Sequence, residues 1–109
     1  MNELSVGLIR GRHEMPVSEY VLHGPVESPN DFRHLESVCK AFLHEHVIGV
    51  PDRTVVLHVT GLGQAVTSFL KMWTWAVAHH PDRMPLLELA HHDRDSGSYL
   101  RQPWDVCLQ

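Results

Sequence analysis

Five consecutive residues, Arg10-Gly11-Arg12-His13-Glu14, hold the densest chemistry in the chain. The two arginines offer planar donor forks that match phosphate oxygens. Histidine, here His13, can serve as a general acid or base near neutral pH. Glu14 can orient the histidine or take a proton. Gly11 lets a ligand approach the backbone. The same residues also read as a polar loop with weak local ion pairs. Residue type alone leaves both readings open.

A second candidate follows the apolar run Thr54-Val55-Val56-Leu57-His58-Val59. The run stops at Thr60-Gly61-Leu62-Gly63, and a helical apolar pattern begins at Gln64. In an open α/β sheet, ligands bind just beyond the carboxyl ends of strands. The first amides of the next helix are unpaired there and favour anions. Thr60 could donate a hydroxyl, the amides of Leu62 to Gln64 could hold a phosphate, and Gln64 and Ser68 could reach a ligand. The alternative is an ordinary tight turn that uses glycine for its backbone freedom.

His91-His92-Asp93-Arg94 is a third cluster, able in principle to hold a metal or a catalytic pair. On a strand His91 and His92 point to opposite faces, so one of them can face a given site. His44 and His46 are two apart on a helix and make poor co-ligands. The ten histidines, His58 among them, are scattered, and most are expected at the surface.

The elements that must position these groups read as follows. Leu4 to Ile9 is the first strand, with the arginine loop at its carboxyl end. Tyr20-Val21-Leu22-His23 is a short extended piece. A helix begins near Asn30 or Asp31, a capping residue, and carries Phe32, Leu35, Val38, Cys39, Phe42, Leu43 and Val47 on one face. Gly49 and Pro51 end it. Thr54 to Val59 is the second strand. Gln64 to Ala78 is the second helix, its inward stripe Val66, Phe69, Leu70, Trp73 and Val77. Met72, Trp75 and Ala76 widen that stripe enough to suggest burial on two sides, including a second subunit. Met84 to Ala90 is the third strand, Asp95-Ser96-Gly97 a turn, and Ser98 to Arg101 a returning strand. Pro103-Trp104 is a terminal apolar element. Alternating strands and helices predict an α/β fold, a mainly parallel sheet with a C-terminal antiparallel hairpin, in two or three layers. The first loop, the Thr60-to-Gln64 turn and the end of the third strand then share one edge.

The 109 residues suit one domain, residues 1–109. Apolar content is 43% and charged content 20%, which is globular rather than disordered. The formal charge of −4 argues against a binder of long nucleic acid, which needs a broad basic face. It leaves room for a small anion held by a few arginines. Two cysteines, Cys39 and Cys107, make no disulfide framework or zinc spacing, and Cys39 is expected to be buried. Met1-Asn2-Glu3-Leu4-Ser5 lacks the basic and apolar regions of a signal peptide, and no apolar run reaches membrane-span length. The expected location is the cytoplasm, with no membrane contact.

With Ile9 to Glu14, Val59 to Gln64 and the alternating body in view, the chain resembles the small stand-alone ring nucleases of type III CRISPR systems. These are related to the CARF (CRISPR-associated Rossmann-fold) domains. His92 to Tyr99 also looks like a family feature, without an assigned role. The resemblance implies a compact Rossmann-like domain and a homodimer that cradles cyclic oligoadenylate on its two-fold axis. Cyclic tetra-adenylate is the first ring to try. It implies no cofactor and no obligatory metal. The ribose 2′-hydroxyl would attack the adjoining phosphate and leave a 2′,3′-cyclic phosphate. Carried over by position, Arg10 and Arg12 would clamp phosphate beside Gly11. The Gly61-to-Gln64 backbone would bind another phosphate. His13 would be the acid or base with Glu14 assisting, and His91 or His92 a third contributor.

Three rivals use the same residues differently. A non-catalytic sensor would bind a cyclic nucleotide without turnover. An interaction protein would use Trp73, Trp75 and Trp104 as anchors. A metal-dependent hydrolase would draw on the histidines.

Overall fold

Val55, Val56 and Leu57 are fully buried, so both faces of one strand are covered and its sequence reads as a continuous apolar run. That strand is the centre of the sheet. The computed structural model describes residues 2–11, 15–59 and 62–106. They form β1 (Asn2–Ile9), β2 (Glu19–Leu22), α1 (Phe32–His46), β3 (Arg53–His58), α2 (Gly63–His79), β4 (Leu86–Asp93) and β5 (Ser98–Trp104). The sheet order is β2-β1-β3-β4-β5. β1 runs parallel to β2 and β3, β3 runs parallel to β4, and β5 returns antiparallel along β4.

The two helices pack on each other and on one face of the sheet, which gives two layers. Val6 and Leu8 of β1, Val55 and Leu57 of β3, and Leu87 and Leu89 of β4 form the floor of the core. Leu43, Val47, Phe69, Trp73 and Ala76 close it from above. Asp31 caps α1, its carboxylate accepting the His34 amide at 3.2 Å. Asp31→Ala should lower stability by about 1 kcal/mol with no change of fold, measured by urea unfolding.

Several boundaries differ from the sequence expectation. The short extended piece is a true strand, β2, paired with β1. The third strand runs on through His91, His92 and Asp93, because these pair with Leu100, Tyr99 and Ser98. Pro103-Trp104 belongs to β5 rather than standing apart. The inward stripe of α2 is rotated: Ala65, Ser68, Phe69, Met72, Trp73 and Ala76 are buried, while Val66, Leu70 and Val77 are half-buried. The sheet and α1 bury one side of α2 within the chain. Trp75 is half-buried and packs against the edge of this core, under the Lys40 ammonium at 4.4 Å and beside the His79 ring at 4.8 Å. Phe32 is 51% exposed, since it opens α1 ahead of the face that meets the sheet.

Cys39 is buried as expected, and burial, with the Glu36 charge, pushes its thiol up to about 12. Among the described residues no helix is long and apolar enough to cross a membrane.

On the second face of the sheet no helix lies among the described residues. Side chains cover it instead. Arg101 of β5 reaches across to Glu3 of β1 at 2.6 Å and to Glu88 of β4 at 3.3 Å. Gly7 is required there by close approach: a Cβ at this position would stand 2.7 Å from the Tyr20 ring.

Candidate functional site

β1 and β3 lie side by side, yet the chain leaves them in opposite directions. From β1 it passes to the edge strand β2, and from β3 it passes through α2 to β4. A crevice outside the carboxyl ends of two such strands is the usual ligand position in open α/β sheets. Pairing of Gly7 with His58 brings the two strand ends level. The first loop and the turn into α2 therefore start at one edge, as their sequence positions predicted.

Arg10 and Gly11 are exposed at the start of the first loop. The Arg10 amide donates to the Leu22 carbonyl at 2.8 Å, which ties the loop's origin to β2. Arg12, His13 and Glu14, with Thr60 and Gly61, lie outside the described residues. Leu62 takes the N-cap position of α2 and, among the described residues, no side chain caps that end. No acidic residue stands in its first turn either. The positive end of the α2 dipole thus has no carboxylate of its own, as an anion site requires.

Gln64 and Ser68 are turned elsewhere. The Gln64 side-chain amide donates to the Asn30 side-chain oxygen at 3.3 Å. The Ser68 hydroxyl donates to the Gln64 carbonyl at 2.7 Å, so its proton is committed to its own helix. Both line a groove of about 530 Å³ between the first halves of α1 and α2, with Gly63 at its end. The Lys71–Glu36 ion pair, 3.0 Å long, lies in the same groove and leaves it without net charge.

His91 and His92 separate to opposite faces. His91 lies 2.9 Å from the Gln102 side-chain oxygen. His92 packs against Tyr99, ring centres 5.3 Å apart, on the helix-free face. Among the described residues no three His, Cys, Asp or Glu side chains assemble as a ligand set. Asp93 to Ser98 form the β4–β5 turn. The Asp93 carboxylate accepts from the Ser96 hydroxyl at 2.7 Å and the Asp95 amide at 3.3 Å, and these bonds hold its pKa below the ordinary 3.8. Gly97 supplies the positive φ of 69° that this turn needs. Part of the stretch without a sequence-assigned role is therefore a hairpin turn.

A titratable residue at this edge to which the sequence expectation gave no role is His58. It ends β3, is 5% exposed, and stands on the helix-free face against Tyr99. The available signal was a titratable residue inside an apolar β-branched run. Compared with protein-family models, curated proteins and solved structures, the chain matches none significantly.

Proposed function

We propose that this chain is a CARF-like, Rossmann-like phosphodiesterase that binds cyclic oligoadenylate as a homodimer and opens the ring. The observation that carries the reading is the shared edge at β1 and β3, where the arginine loop begins and α2 starts without an acidic residue in its first turn. Ring opening needs the 2′-oxygen, the phosphorus and the leaving 5′-oxygen held in line. It also needs donors on the phosphoryl oxygens as charge develops. Arg10 and Arg12 suit the second task through bidentate contacts, and the first amides of α2 suit it through the helix dipole. His13 would move a proton, with Glu14 orienting it. A two-fold site would double these arginines, which answers the net charge of −4.

The test is incubation of the purified chain with cyclic tri-, tetra- and hexa-adenylate, in chelator and in manganese, followed by chromatography. Linear products in chelator support the reading. Intact rings that co-elute with the protein would replace it with a sensor. Products only in manganese would replace it with a metal-dependent hydrolase.

Gly63→Asp separates the helix-start contribution from the rest. Gly63 is exposed and a Cβ there would meet nothing within 4 Å, so the position has room for a side chain. The carboxylate should favour the α2 dipole by about 0.5 kcal/mol while repelling phosphate. Unchanged or raised thermal stability with at least a tenfold weaker ring affinity, about 1.4 kcal/mol, is expected from calorimetry.

A further inference from the structure

His58 is the buried histidine among the described residues. It ends the central strand at the edge where the first loop and α2 begin. In its row of the sheet it is flanked by Gly7 on β1 and Ala90 on β4. These small neighbours leave space above the sheet for aromatic rings. The Tyr99 ring stands edge-on to the imidazole, centres 4.7 Å apart. His58 Nδ1 is shielded from water and has no hydrogen-bond partner among the described residues. A buried polar atom left unpaired weakens a fold. Its presence beside a ligand edge points to an interaction completed by the ligand.

We propose that His58 is a catalytic residue, whose Nδ1 takes the 2′-hydroxyl proton once an adenine of the ring displaces the Tyr99 side chain. This rests on the phosphodiesterase reading above. The 2′-oxygen–hydrogen bond breaks and its proton passes to Nδ1. The 2′-oxygen then bonds to phosphorus while the bond from phosphorus to the 5′-oxygen breaks. The 5′-oxygen leaves with the electron pair and takes a proton from solvent water. The products are a 2′,3′-cyclic phosphate and a 5′-hydroxyl. Burial first, and then the Arg101 charge, holds His58 below the ordinary 6.5, so the imidazole is neutral and able to accept. Among the described residues, the titratable groups around it on this face are Arg101 with its partners Glu3 and Glu88, His92, Tyr99 and Tyr20.

The experiment compares the wild-type chain with His58→Gln and His58→Phe. Cyclic tetra-adenylate binding, single-turnover cleavage between about pH 5 and 9, and thermal unfolding are measured on each. Both variants should bind the ring within about threefold of wild type and cleave it more than about 100-fold more slowly. The wild-type rate should fall as pH drops through the lowered His58 pKa, which lies below the ordinary 6.5, and that limb should vanish from any residual activity. His58→Phe should also unfold at a higher temperature, because it removes the unpaired nitrogen. A merely structural histidine would not combine a more stable variant with lost turnover. Folded variants that cleave within about threefold of wild type would overturn the assignment and leave the phosphodiesterase reading standing. A wild-type chain that leaves every ring intact would overturn both.

Discussion

Arg12→Ala and His13→Ala are each expected to slow ring opening by about 10²–10⁴-fold, the range for losing a positioned phosphate donor or a proton-transfer group. The two losses should differ in kind. Arg12 would act on a charge present in the bound ring and increased in the transition state, so its removal should weaken both affinity and turnover. His13 would act only as the proton moves, so its removal should spare affinity. Arg10 provides the internal comparison. Its amide is fixed to Leu22, and its exposed side chain starts at the same edge. Arg10→Ala should therefore weaken binding more than turnover. Equilibrium binding and single-turnover rates on the same preparations check all three. Wild-type rates in both Arg12→Ala and His13→Ala would remove the first loop from the mechanism.

Trp73→Ala should destabilise the chain by about 3–5 kcal/mol, a large share of the roughly 5–15 kcal/mol that such domains possess. Trp73 is 2% exposed and stacks on Phe69 with ring centres 6.0 Å apart. It sits where α2 meets the sheet, so truncation leaves a cavity that the two rigid layers cannot close. Urea unfolding with an unchanged slope would show a loss of stability rather than of compactness. Trp75→Ala should cost far less, since Trp75 is half-buried beneath Lys40 and against His79. This contrast bears on the interaction-protein rival. Trp73 is a core residue and no anchor, and Trp104 packs against the same core with its indole nitrogen shielded and unpaired among the described residues.

By itself the sequence determined the local elements and their order. The β-branched run at Val55 to Leu57, the Asp31 cap and the three- and four-residue spacing of α1 act within a few residues of chain, so each is readable from a short window. The shared edge of the first loop and the α2 start was readable too, because parallel strands joined by crossovers must present their carboxyl ends together. Tertiary structure decided what depends on partners distant in the chain. The strand character of His91 to Asp93 comes from pairing with β5. The exposure of Phe32 and the inward turn of Met72 follow from how the two helices meet over one face. Gln64 and Ser68 line an interhelical groove because α1 and the turn before it bring Glu36 and Asn30 alongside. The burial of His58 lies furthest from the sequence. A histidine in an apolar strand has no marked role until Gly7, Ala90 and Tyr99, from three other strands, bury it without pairing its nitrogen. Burial and desolvation are sums over neighbours in space, and only the assembled sheet brings those neighbours together.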